Sequence, residues 1–270
     1  MDINHKYIII NNNKYISDLC YNIYNNVVDK GINITIESNI IENNIDKNVI
    51  YIILTFFGIQ NLPERFILYN FEQLITERVI KNNFLYNCNK AIAIWDYAIE
   101  NIEFWKKYNF NAKFIPYIWF DNYNKLNYTL DEYEIDILFY GSINERRQKI
   151  LNEIKERLPH LKILVVNKVF GNELEELIIK SKIIINIHYY NKNQIFEVSR
   201  IIPLILNNKI VISETSNCFY SKLLKDIIIW FDYDDIDNLI NKINDVKNII
   251  TEDKKERIKK LNLTNYILER

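Results

Sequence analysis

Apolar residues along this chain come in two rhythms. Short, nearly unbroken runs of Ile, Val, Leu, Phe and Tyr alternate with longer stretches in which apolar positions recur at helical spacing. The short runs read as strands buried on both faces, the pattern of parallel sheets. They are Tyr7–Ile10, Asn33–Ile36, Val49–Phe57, Phe66–Tyr69, Ala91–Trp95 and Phe114–Ile118, and, after a polar stretch at Asp121–Glu134, Ile135–Tyr140, Lys162–Val166, Lys182–Ile187, Lys209–Ser213 and Ile227–Phe231. Helical patterns fall between them at Ser17–Lys30, Tyr97–Tyr108, Glu145–Leu158 and Ile236–Ile249. The alternation predicts an α/β protein with parallel sheets covered by helices. Eleven strands by this count exceed one doubly wound sheet of average size. The rhythm therefore predicts two α/β domains, residues 1–128 and 129–270, joined near 121–134. In such sheets ligands lie beyond the carboxyl ends of the strands, and two such domains predict a cleft between them.

The junction Phe139-Tyr140-Gly141-Ser142-Ile143-Asn144-Glu145-Arg146-Arg147 is the most telling of these strand ends, because the chain has only 4 glycines. A strand runs into a Gly turn and then a helix with Arg146 and Arg147 in its first turns. Free N–H groups and the positive dipole end suit an anion there, and arginine adds forked donors. Ser142 and Glu145 also spell a capping box, so Ser142 either caps the helix or faces a phosphate oxygen. The turn is neither a Walker loop nor G-x-G-x-x-G, which disfavours a wrapped triphosphate or a dinucleotide.

Three further strand ends carry polar chemistry. His188 and Tyr189 follow the strand Lys182–Ile187. Beyond them Glu197 and Arg200, three apart, share a helix face among apolar neighbours. They form either a structural ion pair or a carboxylate placed to accept ribose hydroxyls. In Tyr69-Asn70-Phe71-Glu72 and Trp95-Asp96-Tyr97, Glu72 and Asp96 stand at strand-to-helix junctions. Each is either a helix cap or a general base acting on a hydroxyl. Asp232-Tyr233-Asp234 spells D-x-D, but a helix pattern follows it and an N-cap at Asp234 or Asp235 accounts for it. Three scattered histidines form no metal cluster.

Composition narrows the picture. With 49% hydrophobic and 26% charged residues the chain is globular, and its net charge of −1 does not support a nucleic-acid binder. The excess of Asn, Ile, Lys and Tyr reads as genome bias, and it lets Asn stand where other proteins carry Gly, Asp or Ser. The longest apolar run, Val49–Ile59, is too short for a membrane helix of roughly 20 residues. No secretory signal is visible. Cys20, Cys88 and Cys218 are far apart, as expected of a cytoplasmic protein without a zinc site.

In order along the chain, Phe139–Arg147, Ser181–Ile183 through Ile187–Tyr190, Phe196-Glu197-Val198-Ser199-Arg200 and Val211-Ile212-Ser213-Glu214 resemble the donor-binding half of GT-B-type glycosyltransferases. The likeness is to a bacterial and giant-virus group in the family-1/family-4-like superfamily. Tyr69–Leu74, Trp95-Asp96-Tyr97 and Ala112–Pro116 resemble the first half of the same group. The resemblance covers most of residues 50–250. It implies two Rossmann-like domains with parallel sheets facing across a cleft, an amino-terminal acceptor domain and a carboxyl-terminal donor domain whose last helix packs back on the first.

On this resemblance Gly141 and Ser142 match the phosphate-facing turn, and Arg146 or Arg147 the diphosphate contact. Glu197 matches the ribose-binding acid, with His188, Tyr189 and Arg200 around the same pocket. Asn191-Lys192-Asn193-Gln194-Ile195 stands where family-4 enzymes carry a Gly-rich segment with a further glutamate. The implied activity is metal-independent and cofactor-free transfer from a UDP-sugar or GDP-sugar to a glycan, lipid-linked or protein hydroxyl, with Glu72 or Asp96 as base if the reaction inverts. A non-catalytic nucleotide- or carbohydrate-binding scaffold and a nucleotide-sugar epimerase are the alternatives.

Overall fold

The computed structural model describes residues 1–12, 16–28, 30–38, 45–56, 59, 61–74, 83–117, 133–190 and 195–246. The chain divides into two compact units, with the division after Phe120. The polar joining segment, Asn191–Gln194 and the chain beyond residue 246, including the helix expected to pack back, lie outside the described residues.

The first unit holds a parallel sheet of β1 (Lys6–Ile10), β2 (Asn33–Glu37), β3 (Val49–Ile53), β4 (Phe66–Asn70), β5 (Ala93–Asp96) and β6 (Ala112–Phe114), in the order β2-β1-β3-β4-β5-β6. β1, β3 and β4 are buried along almost their whole length, which explains why they read as unbroken apolar runs. Ile8, Ile10, Tyr51, Ile53, Phe66 and Leu68 pack with Trp105 and Phe104 of α3 (Ile102–Lys107) to form the core. β6 begins and ends earlier than the apolar run predicts. Ile115 N–H still reaches Asp96 O (2.8 Å), but Pro116 has no N–H to continue the ladder. The other helices here are α1 (Ser17–Val28) and α2 (Phe84–Cys88).

The second unit holds β7 (Ile135–Tyr140), β8 (Ile163–Val166), β9 (Ser181–Asn186), β10 (Ile210–Glu214) and β11 (Ile229–Phe231), all parallel, in the order β11-β10-β9-β7-β8. Ile150, Leu151 and Ile154 of α4 (Glu145–Arg157) and Leu239, Ile240 and Ile243 of α8 (Ile236–Asp245) cover one face of this sheet. Between these lie α5 (Gly171–Lys180), α6 (Val198–Leu206) and α7 (Phe219–Leu223). The order reverses between β7 and β9, since β8 lies to one side of β7 and all later strands to the other. That reversal is the topological switch point where ligands enter α/β sheets.

Asparagine does take over positions that favour glycine. Asn83, Asn109 and Asn208 have φ of 63, 61 and 55°, and Asn109 and Asn208 follow the last residues of α3 and α6 closely, where left-handed residues close helices. Cys20, Cys88 and Cys218 are buried free thiols. No helix among the described residues is long and apolar enough to cross a membrane.

Candidate functional site

Four buried polar residues share one signature. Asn70, Asp96, Asn186 and Glu214 are the last residues of β4, β5, β9 and β10, and each is at most 2% exposed. Buried polar groups persist only when hydrogen-bonded, and each of these organises the loops at its strand end.

In the second unit the switch point gathers three arginines, a histidine and two glutamates. Gly141 leaves β7 with φ of 135°. A Cβ there would meet the Arg200 guanidinium at 3.4 Å, so glycine keeps the turn unstrained and open toward that group. Arg200 donates from Nη1 to Asn186 Oδ1 (3.3 Å) and lies over the Tyr140 ring. Ser142 is exposed, and it is Asn144 that caps α4 in place of the expected Ser142: Asn144 Oδ1 accepts from Arg147 N–H (2.9 Å). Asn144 Nδ2 also donates to Tyr189 O (2.6 Å), tying the Gly141 turn to the end of β9.

The two arginines expected to face a ligand are bound up within the protein. Arg147 is 2% exposed. It donates from Nε (3.0 Å) and Nη2 to Ile187 O and from Nη1 to Ser142 O (2.7 Å). Burial, with Arg200 nearby, brings its pKa down to about 10, so it stays charged at neutral pH. Arg146 donates from Nη1 to His188 O (3.0 Å) and with both Nη groups to the carboxylate of Glu214. It also pairs with Asp234 (3.3 Å) and lies under the ring of Tyr233. Burial works against its charge, but Glu214 outweighs it and the pKa is raised.

Glu197 is the N-cap residue of α6, though its side chain makes no cap bond. Oε2 accepts from Asn186 Nδ2 (3.0 Å) and meets His188 Nδ1 (2.9 Å), while Oε1 is 3.9 Å from Arg147 Nη2. Burial alone would raise its pKa; His188 and Arg200 reverse that and hold the carboxyl at about 2. For His188 burial opposes protonation, yet Glu197 and Glu214 together raise its pKa above the ordinary value. Its backbone N–H donates to Glu214 Oε2 (2.9 Å), and Nε2 is buried with no partner among the described residues. The ring of Tyr189, exposed, lies over Arg147. Three guanidiniums and three carboxylates, Glu197, Glu214 and Asp234, thus gather where the switch point opens, and Arg200 is the guanidinium beside Gly141.

Glu214 holds Arg146, His188 N–H and Asp234 N–H (2.9 Å) at once, yet the sequence reading assigns it no role. The signal was available: like Asn186, it is a polar residue closing an apolar strand. Asp232-Tyr233-Asp234 folds onto Glu214 as a loop, with Asp234 left-handed at φ of 60° and Asp235 capping α8 through Asn238 N–H (2.9 Å). Among the described residues no cluster of His, Cys, Asp and Glu could hold a metal ion.

In the first unit Asp96 and Glu72 part ways. Asp96 is fully buried, and its carboxylate accepts from Asn70 Nδ2 (2.8 Å), Ala98 N–H (2.8 Å), Asn101 Nδ2 (3.0 and 3.1 Å) and Trp105 Nε1 (2.6 Å). Burial pushes its pKa up to about 7 although all these donors pull against it. The Ala98 bond is the capping role, at the entry to a 3₁₀ turn, Ile99–Asn101. Glu72, by contrast, keeps part of its surface in solvent, and its carboxylate has no partner among the described residues; the chain packed around it takes some of its water and raises its pKa. Beside it Phe71 stacks on Tyr97 (centroids 5.2 Å apart) and meets Tyr69.

No protein-family model matches the sequence. Three uncharacterised proteins of Acanthamoeba polyphaga mimivirus are similar to it: one 30% identical over 57% of this chain, one 29% identical over 72%, one 30% identical over 55%. The chain spans 17%, 28% and 51% of their respective lengths. Among solved structures, Anabaena HepE in complex with UDP and glucose superposes with a TM-score of 0.60 at 11% identity, covering 98% of both chains. The DNA-modifying β-glucosyltransferase of phage T4 superposes with a TM-score of 0.60 at 13% identity, over 97% of this chain and 98% of that one. AviGT4, a glycosyltransferase of avilamycin A biosynthesis, gives 0.58 at 10% identity over 98% and 96%. The two parallel-sheet units are those of the GT-B fold, as the resemblance implied.

Proposed function

We propose that this chain is a glycosyltransferase that moves a hexose from a nucleoside diphosphate sugar to a hydroxyl acceptor. The observation that carries the reading is the open Gly141 turn facing the Arg200 guanidinium, at the switch point of a GT-B sheet. Solved structures of this fold hold UDP with glucose, UDP-glucose, or UDP with Mn2+, so UDP-sugars come first among the donors and GDP-sugars second.

In this reading Arg200, the Gly141 backbone and the Ser142 hydroxyl receive the diphosphate. They stabilise the negative charge that develops on the leaving group. Arg146 and Arg147 do not touch it; they brace the walls, with Arg147 joining the Gly141 turn to the end of β9. Glu197 turns its less engaged Oε1 to the ribose hydroxyls, His188 keeps that carboxylate oriented, and Tyr189 forms a side wall. Glu72 is the general base for an inverting transfer, because among the described residues its carboxylate has no partner and its pKa is raised. Asp96 has no oxygen free for that task. The acceptor is a glycan, lipid-linked or protein hydroxyl, in keeping with glycan building in the cytoplasm. The positive charge beside the diphosphate is the Arg200 guanidinium, so chelation should leave turnover intact and added Mn2+ should not be required.

Calorimetry with UDP and GDP tests the reading. Binding of one of them at millimolar concentration or better, weakened by Glu197→Ala, is expected. Absence of binding by both, with Glu197→Ala indistinguishable from wild type, overturns it.

A further inference from the structure

Two of the three side chains that donate to Asp96, Asn70 and Asn101, lead back to Glu72. Asn70 donates from Nδ2 to Asp96 and also to Glu72 O (2.9 Å), while Asn70 Oδ1 accepts from Glu72 N–H (3.2 Å). Asn101 donates from Nδ2 to Asp96 and to Glu72 O (2.8 Å), while its Oδ1 accepts from Leu74 N–H (2.9 Å). Both polar groups of the Glu72 backbone are thus taken by side-chain amides, and both amides rest on one buried acid.

The acid matters because an asparagine amide can sit either way round. Once ionised, above a pKa of about 7, the Asp96 carboxylate only accepts, so it admits only the NH2 end of each amide, and the kinetics below are read at about pH 8 or higher. With Nδ2 of Asn70 and Asn101 facing Asp96, their Oδ1 atoms must meet the N–H groups of Glu72 and Leu74. Trp105 Nε1 and Ala98 N–H hold Asp96 itself in place. An asparagine at position 96 would bring its own NH2 against these donors and favour the flipped amides, which could no longer hold the loop in the same way.

We infer that Asp96 is a positioning residue, resting on the reading of Glu72 as base: through Asn70 and Asn101 it fixes the backbone from which the Glu72 carboxylate projects. The acidic side chain at the end of β5 orders the base at the end of β4 and touches no substrate. A base displaced by as little as an ångström loses about 10–100-fold in rate.

The test is a double-mutant cycle in kinetics, which isolates action of one residue through another. UDP- and GDP-sugars are screened for nucleotide release, and the best donor is used. Asp96→Asn and Asn101→Ala are measured in the wild-type and Glu72→Gln backgrounds. In the wild-type background kcat should fall about 10–100-fold with donor KM unchanged; in the Glu72→Gln background either change should add less than about twofold, since the base they orient is gone. Equal losses in both backgrounds overturn the inference, because a merely structural role would act in both. Asn70→Ser, which leaves Asp96 its bonds to Asn101 and Trp105, carries the same comparison if the other two variants do not fold. A Glu72→Gln enzyme as active as wild type overturns the base assignment and the inference with it, while nucleotide binding by the second unit would still stand. No release from any donor overturns the transferase reading itself.

Discussion

The two units present the same kind of sheet edge and solve the same problem, an acid withdrawn from water beside the strand ends, in opposite ways. In the first, Asp96 is surrounded by neutral donors: two amides, an indole and a backbone N–H. In the second, Glu197 and Glu214 are surrounded by Arg146, Arg147, Arg200 and His188. The pKa values part accordingly: about 7 for Asp96 and about 2 for Glu197. Hydrogen bonds from neutral groups satisfy a carboxylate without cancelling its charge, so desolvation wins; formal counter-charges reverse the outcome. The first edge thus orders a loop, which on the proposed reading presents a base to a neutral hydroxyl. The second sets the Arg200 guanidinium beside the open Gly141 turn, which on the proposed reading receives an anion.

The comparison breaks first at Arg147. If it braces the second unit rather than binding the donor, Arg147→Met leaves Ile187 O and Ser142 O without donors and removes a cation near Glu197. A loss of about 3–5 kcal/mol in a denaturant titration is expected. Unchanged stability with lost nucleotide affinity would return Arg147 to the ligand. Arg200→Ala should do the reverse. UDP affinity falls about 10–100-fold, as for a hydrogen bond to a charged group, and the unfolding midpoint stays near wild type.

A third difference is in the pH dependence of stability, and it has opposite signs in the two units. Asp96 has a folded pKa above its unfolded value, so its contribution is fully present below about pH 4 and is lost as pH rises through about 7. Glu197 has a folded pKa below its unfolded value. Its contribution is present above about pH 4 and is lost as pH falls toward 2. Urea titrations from pH 4 to 8 should show a falling component, and NMR of the Asp96 carboxyl carbon should place its titration near neutrality. A midpoint near the ordinary aspartate value would mean that the neutral donors suffice to hold the charge.

Much of the fold was legible. Strands buried on both faces announce themselves as unbroken apolar runs, and all eleven predicted strands have counterparts among the described residues, with β6 shifted toward Ala112 by Pro116. The helix-end chemistry was less so. The Ser142–Glu145 capping pattern pointed to Ser142, but Asn144 caps the helix, because asparagine serves equally well and lies where the extended backbone turns into α4. The polar strand ends Asn70, Asn186 and Glu214 were visible in the sequence, yet nothing local distinguishes a buried Asn from the many solvated ones in so Asn-rich a chain.

What the sequence by itself determined is the alternation, the two units and the strand ends where chemistry gathers, since these depend on the order of apolar and polar residues over short windows. What only the tertiary structure decided is the division of labour at those ends. Arg147 and Arg146 are committed to backbone carbonyls and Glu214 while Arg200 lies beside Gly141, and among the described residues Glu72 rather than Asp96 has a carboxylate without a partner. The physical reason is separation along the chain. Arg146 meets Glu214 across 68 positions and Asn70 meets Asp96 across 26. A guanidinium or carboxylate is committed or available only by virtue of partners that folding brings to it.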